Sequence, residues 1–357
     1  RLVMIKSIKL TNFRNFDKKT IEFGEGVNVI NDPNACGKTN ILEAIFMLSL
    51  GKSFKTRKIE ECVRYGEQIS RISAVSYMPY AVSSENHTAE SMELNTKLEV
   101  ILTEGVTGWP KKRLLVNGVP KRLIDFAGNI KTVLFAPQDL ELVTDGPSLR
   151  RNFLDTVLTQ TDREYRRALG SYEKGVRQRN RLLLRIREEN ISRSNLLFWN
   201  QLLIKNGNCI TQKRQELIDF INSLKKCNIK YDYSAISEGR LEQYKNEEVA
   251  SVMTLVGPHR DDFMFLKDSR NLLSFGSRGE QRMEVLYLKL AELAYIEKVT
   301  EVKPILLLDD IFSELDHSHR EIVMQTLNNH QVIITSADEH NIENIKSQKL
   351  KVKMINL

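Results

Sequence analysis

Residues 27–44, VNVINDPNACGKTNILEA, read as a buried strand, a phosphate-sized loop and the opening turns of a helix. A helix N-terminus presents unpaired backbone N–H groups and a partial positive charge, so an anion with several oxygens is stabilised there without a special side chain. Gly37, Lys38 and Thr39 match the close of the pattern G-x-x-x-x-G-K-[ST]. In that pattern the lysine reaches the outer phosphates and the hydroxyl holds the magnesium that bridges them. The expected nucleotide-binding loop is therefore Asp32, Pro33, Asn34, Ala35, Cys36, Gly37, Lys38 and Thr39.

Position 32 departs from the pattern, which has its first glycine there. A carboxylate brings a β-carbon and a negative charge towards a polyanion, and Pro33 restricts the backbone of Asp32. Two like charges about 4 Å apart cost about 1 kcal/mol in water and about 4 kcal/mol at an effective dielectric of 20. On this reasoning Asp32 weakens or abolishes nucleotide binding, and Asp32→Gly raises affinity. The alternative reading of residues 32–39 is a chance GKT at a strand-to-helix junction.

At 357 residues the chain exceeds what one core usually supports, which predicts two lobes. Cys36, Cys62, Cys209 and Cys227 are scattered without close pairs, which argues against a zinc site or disulfide framework and fits a reducing cytosol. No run approaches the roughly 18 apolar residues of a spanning helix, so a cytoplasmic protein without a membrane partner is expected. Fifty-three Lys plus Arg against 46 Asp plus Glu give +7, an excess that suits a nucleic-acid partner without requiring one.

Strands are expected over Ile5–Phe13 and Thr20–Phe23, making an α/β start. Ile41, Leu42, Ile45, Phe46 and Leu48 recur at helical spacing and predict one buried face. The basic stretch GKSFKTRK, residues 51–58, carries Lys52, Lys55 and Arg57. It reads either as a solvated loop or as a segment contacting DNA phosphates. Residues 70–119 alternate in short segments and include the turn pair Asn117-Gly118, as an antiparallel sheet would, with residues 83–96 as a long loop.

Thr132–Ala136 is an apolar strand running into Pro137-Gln138, where a glutamine can reach a metal or an attacking water. After Asp145-Gly146-Pro147 about 75 residues read as helical, two antiparallel helices of about 35 residues and about 50 Å folding back near Asn190–Asn195. The arginines of this arm form a solvated face, or in the Arg177–Arg187 cluster touch a phosphate backbone. Residues 232–250 read as a return loop and Val252–Val256 as a short strand. His259 with Asp261 and Asp262 reads as a tight polar turn rather than a metal site.

Two further pieces complete a site. Ser277 and Gly279 precede a long helix with Met283, Leu286, Leu290 and Leu293 on its apolar face, a second helix start suited to an anion. Pro304–Asp310 is an apolar strand ending in two carboxylates, placed to hold magnesium with Asp309 and polarise a water with Asp310. Three motifs in this order are far more specific than any one alone.

The chain resembles the RecF recombination mediators, within the SMC-like branch of ABC-type ATPases. The resemblance covers nearly the whole chain from Met4 and rests on NFRNF (12–16), NACGKTNILEAI (34–45), GKSFKTR (51–57), LFAPQDLELV (134–143), GPSLRRNFLD (146–155), LVGPHRDDF (255–263), FGSRGEQR (275–282) and LLLDDIFSELD (306–316). It implies an α/β ATPase head of the ABC/SMC type with an antiparallel β lobe and a second lobe bearing a short helical arm. The implied division is 4–145 and 251–357 for the ATPase lobe, and 146–250 for the arm lobe. It also implies ATP and Mg2+ as cofactors and an ATP-dependent homodimer, in which Ser277–Glu280 of one copy caps the nucleotide held by Lys38 and Thr39 of the other. DNA binding, slow hydrolysis, and work with RecO and RecR at single-strand gaps follow from it as well. By the same resemblance Gln138 stands at the Q-loop position and is a further metal contact. Asp309 is the metal-holding aspartate, Asp310 the catalytic acid, Asp316 the interface aspartate and Asp338 the switch residue.

Three functions compete. Lys38, Asp309 and Asp310 favour a DNA-dependent ATPase with weak turnover. Asp32 favours a non-hydrolysing scaffold of the same fold that binds DNA or a RecR-like partner. A transporter ATPase subunit would carry its signature segment nearer the phosphate loop and lack the arm.

Overall fold

The computed structural model describes residues 2–33, 36–81, 91–313, 315, 317–336 and 351–357. Asn34, Ala35, Asp316, Asp338 and residues 83–90 of the expected long loop lie outside them.

Strands β1 (Met4–Phe13) and β2 (Phe16–Glu22) form an antiparallel hairpin whose corner takes Asn12 and Arg14 to positive φ. Strand β3 (Val27–Asn31), buried over its first four residues, leads to helix α1 (Lys38–Leu50). Strands β4 (Ile69–Ala81), β5 (Ser91–Thr103), β6 (Lys112–Val116) and β7 (Val119–Lys121) follow, then the short helix α2 (Leu123–Phe126) and strand β8 (Thr132–Phe135). Asn117 and Gly118 both take positive φ, as a two-residue hairpin turn matching strand twist requires. Residues 91–96, expected as loop, instead belong to β5 and pair with β4 from Ser76↔Thr96 to Ala81↔Ser91. Their polar composition hides a ladder that only the partner strand defines.

Next come helices α3 (Pro147–Thr161), α4 (Arg163–Glu189) and α5 (Leu197–Ser223), strand β9 (Ile229–Asp232), and helices α6 (Glu238–Gln243) and α7 (Lys245–Ser251). Strands β10 (Asp262–Lys267) and β11 (Arg270–Asn271) and helices α8 (Leu272–Phe275) and α9 (Arg278–Thr300) follow. The expected first long helix is broken at Asp162, whose extended backbone stops α3 and whose carboxylate accepts the Tyr165 N–H at 2.9 Å to start α4. The arm is thus α4 against α5, 27 residues each and about 40 Å long. They approach closely at Gly175, where a β-carbon would sit 2.7–2.9 Å from the methyls of Leu202 and Leu203. The expected return loop contains α6 and α7, and Val252–Val256 is irregular rather than a strand, with Val252 at positive φ ending α7. On α9, Leu286 and Leu293 are buried as expected and Met283 and Leu290 half-buried, but Val285, Leu288 and Ile296 are buried too.

The chain closes with β12 (Ile305–Asp309), helix α10 (His317–Thr326), β13 (Val332–Ser336) and β14 (Val352–Ile355). Among the described residues, a parallel sheet runs β14-β3-β13-β12-β8 and an antiparallel sheet runs β2-β1-β4-β5-β6-β7. Helix α1 packs on both sheets, so it buries every residue from Ile41 to Leu50 rather than one face. Full burial of each large apolar side chain there contributes about 1.5–3 kcal/mol. The buried Gln331 side chain joins the sheets by accepting from the Ile5 N–H and donating to the Ile5 carbonyl, both at 2.8 Å.

The chain divides into two compact units, residues 1–139 with 292–357, and residues 140–291. Residues 251–291, grouped with the ATPase lobe in the sequence reading, pack with the arm. Strand β10 pairs with β9, Arg150 binds Asp262 at 2.6 Å, and the buried Arg214 on α5 binds Asp261 and Asp155, each at 2.8 Å. His259 sits in a tight polar turn: Tyr172 hydroxyl and Thr254 carbonyl take its two nitrogens at 2.8 and 2.9 Å.

Candidate functional site

Ligands of open parallel sheets gather at the carboxyl ends of the strands, and here β3, β13 and β12 deliver their ends side by side. The loop after β3 closes at Gly37, whose φ of 100° is open to glycine. A β-carbon there would lie within 2.6 Å of the Asn15 amide. Asn15 in turn donates to the Cys36 carbonyl at 2.9 Å and accepts from the Asn40 amide at 2.8 Å, bracing the loop from the β1–β2 corner.

The Lys38 ammonium is held by the carbonyls of Asp32 and Pro33, so its charge sits within the loop. The Thr39 hydroxyl donates to Asp309 Oδ1 at 2.7 Å. That carboxylate is 5% exposed and also accepts from the Thr335 hydroxyl at 2.8 Å. Two adjacent oxygens of an octahedral ion at 2.0–2.1 Å stand about 2.9 Å apart, so the Thr39 and Asp309 oxygens fit neighbouring ligand positions of magnesium. Asp310 follows with φ 48°, its N–H bonded to the Thr335 carbonyl at 3.2 Å, and it is exposed at the sheet edge. A glycine-closed loop leading into a helix N-terminus, a lysine, a hydroxyl and two acids thus meet at one edge. Chemically that edge can bind a polyphosphate and polarise a water against it.

Comparison with known proteins gives the family. The family described as RecF/RecN/SMC N terminal domain matches residues 4–356. The DNA replication and repair protein RecF of Agathobacter rectalis is 33% identical over 349 residues, 93% of this chain and 92% of that one. The chain belongs to the RecF family. The RecF of Acetivibrio thermocellus is 34% identical over 366 residues, 95% of each chain. A solved structure of the recombination mediator protein RecF with ATP, of the RecFOR pathway, superposes with a TM-score of 0.80 at 32% identity, covering 94% of this chain and 92% of that one. The Pyrococcus furiosus Smc head domain, TM-score 0.50 at 14% identity, shares the fold. The mixed parallel and antiparallel architecture here is the ABC-type ATPase fold of RecF and SMC heads.

The remaining RecF-type motifs fall as follows. Gln138 is exposed at the carboxyl edge of β8, the sheet neighbour of β12, in a turn capped by Asp139, whose carboxylate accepts the Ala136 N–H at 2.8 Å. In the other unit Ser277 opens α9 in a capping box: its N–H donates to Glu280 at 2.8 Å and its hydroxyl accepts the Glu280 N–H at 3.3 Å. Lys267 also binds Glu280, and the lysine with the Ser277 donors pulls that carboxyl down to about 2. A β-carbon on Gly279 would meet nothing within 4 Å, so this helix start is open.

Of the basic loop, the structure brings Lys55 to the N-terminal end of α1. Its ammonium donates to Asn40 at 2.8 Å, because Phe54 packs edge-on against Phe46 of α1 and pins the segment. Although the residue as a whole is exposed, burial around the ammonium lowers its pKa, with Glu43 and Asp309 pulling the other way. Lys52 is half-buried and Arg57 exposed. A cavity of about 830 Å³ opens here, lined by Arg14, Asn15, Asn40, Lys55, Lys58 and Tyr65 among others. Sequence reasoning missed Asn15, Asn40 and Thr335 as site residues; their roles come from long-range contacts that no local pattern announces.

Asp32 differs most from expectation. Its backbone is not among those at positive φ, so nothing in the fold requires glycine there, and its carboxylate accepts the N–H of Leu357 at 2.5 Å.

Proposed function

We propose that this chain is a cytoplasmic DNA-binding ATPase of recombinational repair and replication restart at single-strand gaps. It binds Mg-ATP, closes as a homodimer on DNA, hydrolyses ATP slowly, and works with RecR-like and RecO-like mediators. The observation that carries the reading is the Thr39 hydroxyl on the buried Asp309 carboxylate, two residues 270 positions apart meeting as a nucleotide-bound cation needs.

Lys38 exchanges two loop carbonyls for the outer phosphates, and the N-terminal N–H groups of α1 take the remaining phosphate oxygens. Thr39 and Asp309 would hold magnesium, which would supply charge neutralisation to the bound nucleotide. Asp310 accepts a proton from the attacking water, with Gln138 orienting it. Ser277 and Gly279 of a second copy cap the nucleotide, and Asp316 and Asp338 act at the interface and switch positions. DNA contact is favoured on the antiparallel sheet, where the register aligns Lys18, Arg71 and Arg113 in one cross-strand row with Lys9 in the next. Alternate strands stand about 10 Å apart, so the row spans several phosphates. Lys52 and Arg57 are further candidates for that contact.

Calorimetric titration with Mg-ATP tests the reading. Micromolar binding by the wild type, lost in Lys38→Ala, is expected. Absence of binding by the wild type would replace it with the non-hydrolysing scaffold of the same fold.

A further inference from the structure

Asp32 stands where the phosphate-loop pattern has glycine, and its carboxylate would repel nucleotide if it faced the phosphates. The register of the parallel sheet gives it another task. Strands β3 and β14 pair from Val27↔Val352 to Ile30↔Ile355. Two residues further along each strand lie Asp32 and Leu357, beyond the last ladder pair. There the Asp32 carboxylate takes the Leu357 N–H at 2.5 Å, in place of a strand carbonyl, and the Asp32 carbonyl is left to hold the Lys38 ammonium. One residue therefore joins the nucleotide-binding lysine to the segment after β14, using its backbone oxygen for one and its side chain for the other.

We infer that Asp32 is a positioning residue of the nucleotide site, a latch that ties the segment following β14 to the phosphate loop and keeps its own charge on a backbone N–H. The inference rests on the ATP-binding reading above. When Lys38 moves to the phosphates, the Leu357 bond keeps the residue 32 side chain where it is. The carboxylate stays occupied by its donor, and the loop keeps the shape set by the extended ladder. A charge-assisted hydrogen bond of this kind corresponds to about a 10-fold to 100-fold effect on local opening.

The latch reverses the sign of the electrostatic expectation and can be tested on the full chain with three neutral variants. Asp32→Asn keeps an acceptor for Leu357, whereas Asp32→Ala and Asp32→Gly do not. In nucleotide-free protein, hydrogen exchange over residues 352–357 should accelerate about 10-fold or more in Asp32→Ala and stay near wild type in Asp32→Asn, with α4 and α5 unchanged as a folding control. In calorimetry Asp32→Ala should bind Mg-ATP about 5–10-fold more weakly, with Asp32→Asn restoring affinity to within about 3-fold. Tighter binding by all three variants would mean the carboxylate repels nucleotide and would overturn the latch. Unchanged exchange in Asp32→Ala would overturn it as well. No Mg-ATP binding by any of the four proteins would defeat the ATPase reading instead, while the exchange comparison still decides the latch.

Discussion

Helix α1 buries a carboxylate, and its stability depends on the arginine that pairs with it. Glu43 has no exposed side-chain surface, and Arg14 binds it with both ends of its fork, Nε to Oε2 at 2.9 Å and Nη2 to Oε1 at 2.6 Å. The Ser53 hydroxyl also donates to it, and the Cys62 thiol lies 3.7 Å away, pushed up to about 12 by burial and by the Glu43 charge. Arg14→Met strands the charge in the core, a loss of about 3–5 kcal/mol. Glu43→Gln leaves an arginine that is 19% exposed and still donates to the Glu61 carbonyl at 2.8 Å, so about 1–3 kcal/mol is expected. The double variant should cost less than the sum of the two by about 1–3 kcal/mol. Against a typical total of about 5–15 kcal/mol, Arg14→Met leaves its unit marginal. Urea denaturation followed by fluorescence reads this in a Trp199→Phe background, where Trp109 reports on the unit that contains α1. Equal losses for the two single variants that simply add in the double would refute the reasoning.

Four more outcomes are expected. Thr39→Val removes one magnesium oxygen and should weaken Mg-ATP binding about 10-fold to 100-fold while leaving metal-free ATP binding unchanged in parallel titrations. Asp310→Asn should retain Mg-ATP affinity and lose phosphate release by at least about 100-fold in a steady-state assay. Burial, with the nearby Arg260 charge, lowers His259 to about 4, so the unfolded chain binds its proton first as pH falls. Stability should be full above about pH 6.5 and decline by about 3 kcal/mol towards pH 4, a slope that His259→Gln flattens in urea melts. Replacing Lys18, Arg71 and Arg113 together by Ala should reduce the slope of log DNA affinity against log salt by about 3, and an unchanged slope would remove the β-lobe row from the DNA surface.

What was legible in the sequence was what local geometry dictates. Lys38, Thr39, Asp309 and Ser277 each sit at a strand end or a helix start, a placement written in the adjacent residues. The break at Asp162 is also local, an N-cap aspartate hidden within a helical pattern that resumes at once. Polar residues 91–96 and the bracing of the loop by Asn15 and Asn40 were not legible, since a ladder partner or a contact 21 residues distant decides them. The Arg14–Glu43 pair shows the same limit. A glutamate on an amphipathic stripe reads as solvent-facing until a second sheet covers that side of the helix. Asp32 carries the point furthest. Its charge alone predicts repulsion of about 1–4 kcal/mol, yet a backbone N–H 325 residues later, just past β14, offers that charge a donor. The sign of a motif departure is therefore set by where the substituted side chain finds its partner, and for Asp32, just past the end of β3, that partner lies in the segment following the neighbouring strand rather than in the motif.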